Sequence, residues 1–140
     1  MPNWQPNWAD VQFDYQAAYE AISTCYGCIA FLESRHQALD PAKERATREW
    51  RGRHRDEFDA DALRLERVAD DVVNQLHASV RVIQGDVWAA QTEQRFRESD
   101  RVRWAAEVRE EQAREEQARR QSMSSTAAPT VNRDGVIVLS

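Results

Sequence analysis

From Val11 onward, apolar residues recur at steps of three and four, at Tyr15, Ala18, Ile22, Cys25, Ile29, Leu32 and Leu39. That spacing puts them on one face of a helix, and Asn7 and Asp10 offer caps ahead of it. One amphipathic helix is therefore expected over 11–39. Asp40-Pro41 reads as a cap followed by a first-turn proline, which predicts a break, with a separate short helix or a kinked continuation behind it. Trp50-Arg51-Gly52 then interrupts the pattern, and a glycine there permits the positive φ that a reversal between helices requires. From Phe58 the stripe resumes through Ala62, Leu65, Ala69, Val72, Leu76, Val80, Ile83, Val87 and Ala90, the strongest periodic signal in the chain. Asp56, Glu57, Asp59 and Asp61 fall in the first turns of this second helix, where carboxylates favour the positive end of the macrodipole.

Beyond Ala90 the apolar stripe thins to Phe96, Val102 and Trp104, and the five-residue repeat that begins at Arg109 and Arg114 cannot hold one helical face. Residues 97–120 are expected to form a solvated, charged helical extension supported by pairs such as Glu110 with Arg114, Glu115 with Arg119 and Glu116 with Arg120. Residues 121–140 read as a disordered tail that ends in the apolar run from Val136 to Leu139. At the other end, Pro2-Asn3-Trp4 and Pro6-Asn7-Trp8 repeat a triplet whose prolines forbid an ordinary helix. Residues 1–10 should be an irregular Trp-rich arm that lays its indoles on the helices.

The resulting fold class is all-α: an antiparallel helical hairpin over 11–96 with a long second helix. At 1.5 Å per residue the first helix spans roughly 44 Å, and a second helix over 56–120 would span roughly 98 Å. Two helices cover only one side of each stripe, so apolar surface stays open and pairing into a four-helix bundle is expected, with the same chain or with a sister hairpin. Ile22, Ile29, Leu32, Leu65, Val72, Leu76, Ile83 and Val87 are the candidate partner interface.

Composition narrows the chemistry. The 140 residues are 41% hydrophobic and 31% charged with four glycines and four prolines, a helical rather than turn-rich balance, and the net charge of -5 argues against a nucleic-acid carrier. No apolar run approaches a membrane span, and the opening residues lack the order of a cleaved signal peptide. Cys25 and Cys28 stand one turn apart without a second pair to complete a zinc site, and His36, His54 and His77 are scattered. Phosphate-loop and nucleophile-elbow patterns are both missing from the sequence. No enzyme activity, metal, cofactor or small-molecule substrate is expected. Lys43, Arg45, Arg48, Arg51, Arg53 and Arg55 gather basic charge near the reversal, but interleaved carboxylates should neutralise much of it.

Trp50-x-Gly52 at the reversal, Phe58 six residues past the glycine, and the stripe through Val87 together resemble the WXG family, the small early secreted antigens of type VII secretion. The resemblance covers about 11–96. It implies a helical hairpin that pairs with itself or a sister protein into a four-helix bundle and leaves the cell without a cleaved signal peptide, through a membrane-embedded ATPase. It also implies a secretion signal late in the second helix, where family members carry a Tyr followed four residues later by Asp or Glu. This chain has no tyrosine there; Trp88 with Glu93 and Phe96 with Asp100 stand in that place. Two other readings of the residues remain open at this point: a cytoplasmic coiled-coil adaptor or scaffold, and a nucleic-acid-associated helical protein that uses the Arg-rich turn.

Overall fold

In a computed structural model the described residues run from Met1 to Thr126. They hold two helices, α1 over Tyr15–Thr47 and α2 over Arg53–Thr126. The all-helical hairpin expected from the stripes is present. The chain divides into two compact units, Val11–Glu93 and Met1–Asp10 with the residues from Gln94 on.

The first helix starts later than its apolar spacing suggests. Asp14, not Asn7 or Asp10, is the cap: its carboxylate accepts from the Ala17 amide at 2.9 Å, satisfying one of the donors that a helix start leaves orphaned. Asn7 spends its side chain on the Ala9 amide in a local turn (3.0 Å).

Of the two outcomes expected at Asp40-Pro41, the separate short helix is not formed: α1 carries Pro41 in its interior and continues to Thr47. A mid-helix proline costs about 3 kcal/mol through a lost hydrogen bond and a ring clash. Contacts beyond it hold the last turns. Lys43 reaches Glu66 of α2 at 3.5 Å, with both side chains largely covered, and Thr47 is fully buried. The Thr47 carbonyl accepts from the Trp50 amide at 3.0 Å and from the Arg55 guanidinium.

The reversal runs as its glycine implies. Gly52 has a φ of 79°, the only positive φ among the described residues, and a Cβ built there would meet nothing within 4 Å. The glycine is therefore required by backbone conformation rather than by space. Its carbonyl accepts from the amides of Arg55 (3.0 Å) and Asp56 (3.3 Å), which begins α2.

In the Val11–Glu93 unit the buried apolar side chains are small or β-branched: Ala18, Ile29, Ala62, Val80, Val87 and Ala90. In the other unit, residues 1–10 have no helix or strand and pack on α2. α2 runs on to Thr126, which makes 121–126 helical where the sequence suggested a tail; residues 127–140, including the apolar end from Val136 to Leu139, lie outside the described residues.

Candidate interaction surfaces

Several of the larger apolar side chains of the Val11–Glu93 unit are exposed. Phe31 is 58% exposed, Leu65 67% and Val68 59%. Of the residues expected at a partner interface, Ile29 and Val87 are buried within the hairpin. Ile22, Leu32, Leu76 and Ile83 are half-buried, while Leu65 and Val72 face solvent. The stripe read from sequence thus splits near the reversal. Ala62, Glu66, Ala69 and Val73 turn toward α1, and Leu65 and Val72 line its outer edge.

That edge is a groove. One depression, about 590 Å³, lies among Thr24, Gly27, Cys28, Phe31, Val72 and Leu76. A second, about 380 Å³, lies among Ala38, Leu39, Ala42, Leu65 and Ala69. Leu32 is a wall of both, and Arg35, His36 and Glu66 also line the second, so this edge carries two depressions of mainly apolar lining. Arg35 also sits over the Phe31 ring at 5.1 Å. Cys28 lines the first depression while Cys25 is half-buried, and neither is in a disulfide. Among the described residues no three His, Cys, Asp or Glu side chains gather as metal ligands. No described helix is long and apolar enough to cross a membrane.

Trp50, Gly52 and Phe58 come together at the reversal. The Trp50 and Phe58 rings meet edge to face at 5.7 Å, and Trp50 remains 48% exposed. The basic residues around it are engaged locally. Arg53 pairs with Glu57 and Arg55 with Asp59, both at 2.8 Å, and Arg51 donates to the carbonyls of Arg48 and Trp50. Of the candidate signal residues, Trp88 is 68% and Phe96 63% exposed. Glu93 is exposed, and Asp100 is half-buried four residues beyond Phe96 on the same helical face.

The sequence pattern missed the other unit's surface. Along α2 the steps of three and four do not stop at Ala90; they continue through Gln94, Arg97, Arg101 and Trp104. These polar and amphipathic side chains hold the extended arm by its backbone. Arg97 donates to the Ala9 carbonyl at 3.0 Å. Arg101 donates to the carbonyls of Asn7 (3.0 Å) and Trp8 (2.9 Å) and to the Asp10 carboxylate (2.9 Å). The Trp104 indole donates to the Trp4 carbonyl at 3.0 Å and meets the Trp8 ring edge-on at 5.4 Å. Trp4 donates to Glu107 at 2.8 Å beneath the Arg103 guanidinium, 4.6 Å from its ring centre.

Two carboxylates are tuned by this arrangement. Hydrogen bonds from Gln94 and then Arg101 hold Asp10 below its usual range. The Arg103 and Trp4 donors do the same for Glu107. Charge-assisted hydrogen bonds to the ionised form are the cause in both cases. Set against known proteins, the chain matches no family model, no curated protein and no solved structure.

Proposed function

We propose that this chain acts without catalysis, by helix–helix assembly, as a WXG-like hairpin of type VII secretion: a secreted effector, a co-secreted partner or an adaptor. The observation that carries the reading is the set of outward-facing apolar side chains Phe31, Leu65, Val68 and Val72 on the two-helix unit, beside two depressions of mainly apolar lining. A second hairpin would cover these side chains. Covering them contributes a part of the about 1.5–3 kcal/mol that full burial of each from water would give. The partner is another copy or a sister hairpin, and pairing completes a four-helix bundle. Trp50, Gly52 and Phe58 at the reversal, and the exposed aromatics Trp88 and Phe96, support the secretion reading in particular.

The test is export. The chain is expressed in a host with an active type VII apparatus and measured in culture filtrate and cell lysate. The reading expects filtrate protein that disappears when the secretion ATPase is removed. It also expects at least a tenfold loss when Trp50 and Gly52 are both replaced by Ala. Unchanged export of that double variant, or accumulation only in the lysate, overturns the secretion role. The length of α2, 74 residues, favours a cytoplasmic coiled-coil adaptor as the second reading. That reading expects lysate protein whose self-association is lost on truncation after Leu76.

A further inference from the structure

On α1 the exposed residues Glu20, Thr24, Gly27, Phe31 and Arg35 fall at steps of three and four, with Cys28 beside Gly27, and make one outward stripe. Its middle, Thr24, Gly27, Cys28 and Phe31, lines a depression whose other wall is Val72 and Leu76 of α2. Gly27 is costly there, since glycine inside a helix is less stable than alanine. A Cβ built on it would meet nothing within 4 Å, so no contact inside the hairpin requires the glycine. It leaves an open place where a second helix can come close. Thr24 donates its hydroxyl to the Glu20 carbonyl at 2.9 Å, so its methyl group is left for apolar contact.

The stripe is symmetric about the Gly27-Cys28 pair. Thr24 lies three residues before Gly27 and Phe31 three after Cys28; Glu20 lies seven before Gly27 and Arg35 seven after Cys28. Neither end charge has an oppositely charged partner among the described residues. Glu20 accepts from Gln16 at 3.0 Å, and Arg35 lies over the Phe31 ring. Glu33, the other carboxylate nearby, lines a different depression with Asp70 and Val73.

We propose that α1 pairs antiparallel with α1 of a second copy, about a two-fold axis that passes between Gly27 and Cys28. In that register Glu20 of each copy meets Arg35 of the other, and Phe31 of each covers Thr24 of the other beside the opening at Gly27. The contact is isologous, so every pairing occurs twice. A parallel pair would set Glu20 against Glu20 and Arg35 against Arg35, so the charges select the antiparallel direction. Val72 and Leu76 flank the incoming helix. This inference rests on the helix–helix assembly proposed above and adds the partner's identity, direction and register.

The test is a charge swap in the full chain, read by sedimentation equilibrium. Glu20→Arg and Arg35→Glu each put like charges at both ends of the pair, and each alone should weaken self-association at least about tenfold at low salt and less at high salt. Mixed in equal amounts, the two variants regain opposite charges at both contacts and should associate as the wild type does. So should Glu20→Arg/Arg35→Glu alone. Far-UV circular dichroism checks that each variant keeps its helix. Oxidised glutathione gives a second readout at the axis. The two Cys28 thiols of a pair pass two protons and two electrons to one oxidised glutathione, leaving one interchain disulfide and two reduced glutathione molecules. A covalent dimer is expected from the wild type and from Cys25→Ser, and none from Cys28→Ser. Association that ignores both single charge variants, or a covalent dimer that survives Cys28→Ser, overturns this register and leaves hairpin assembly standing. A monomeric wild type overturns the pairing of copies and leaves a sister hairpin as partner. Absence of export removes the secretion reading without touching this one.

Discussion

One helix, α2, covers itself in two different ways. In the Val11–Glu93 unit it packs against α1 through Ala62, Val80, Val87 and Ala90, whose small side chains are buried and need no particular hydrogen bond. In the other unit the same three-and-four spacing carries Gln94, Arg97, Arg101 and Trp104, which hold the irregular arm through its carbonyls and the Asp10 carboxylate. The first mode is apolar and non-directional. The second is directional and solvent-facing, so it fixes the register of residues 4–10. A single helical period thus carries both the packing of the hairpin and the seat of the arm, and the residue type at each step decides which.

The largest effect expected from breaking this contrast is in the apolar mode. Ile29, 5% exposed, sits where the helices meet. Ile29→Ala should lower unfolding free energy by about 2–4 kcal/mol in urea denaturation, by lost transfer energy and a residual cavity. Arm contacts should be undisturbed, as read by protection of the Trp4 and Trp104 indole N–H groups from hydrogen exchange.

Next comes the reversal on which the hairpin depends. Gly52→Ala forces an L side chain into positive φ, with no steric clash to blame, and should cost about 1–2 kcal/mol. Thermal unfolding of the purified variant measures it. A loss below a few tenths of a kcal/mol would mean that the turn relaxes to another backbone.

The directional mode is sharpened by acid. Asp10 and Glu107 are both held below their ordinary values, so the stability they lend to arm docking is complete above the usual carboxylate range near pH 4. It is lost as pH falls through their lowered folded values. Asp10 accepts from Gln94 and Arg101 and lies near the Arg97 charge, and Glu107 accepts from Arg103 and Trp4, so protonation weakens these hydrogen bonds and removes the attraction to the arginines. Indole emission should therefore be constant from neutral pH down to about 5 and shift to the red below about 4. Asp10→Asn/Glu107→Gln should abolish that step while Ile29→Ala leaves it in place.

The hairpin was legible in the sequence because its signals are local: apolar periodicity for both helices and Trp50-Arg51-Gly52 for the reversal. Pro41 left two outcomes open, and what decides for continuation lies outside its own segment. The Lys43–Glu66 pair and buried Thr47 carry the helix past a residue whose intrinsic preference is to start one. The start at Tyr15 turned on what each candidate cap bonds: Asn7 takes the Ala9 amide, Asp10 takes Gln94 and Arg101, and Asp14 meets the Ala17 amide. Leu65 and Val72 are exposed although they sit at the same three-and-four spacing as buried Ala62, which spacing alone does not reveal. The arm's seat was invisible to a search for apolar stripes because its register is carried by arginine, glutamine and tryptophan.

The central claim is that the Phe31–Leu65–Val72 side of the hairpin is a helix–helix interface. Its most direct test is the solution mass of the full chain by light scattering, beside the variant Leu65→Asp/Val72→Asp. The account predicts a wild-type mass near twice 16.2 kDa, or a monomer that becomes a stable complex only with a sister hairpin. In either case the charged variant should remain helical and lose the partner. A wild-type chain that stays monomeric and soluble at high concentration with no hairpin partner, or a charged variant that associates as well as the wild type, would contradict it.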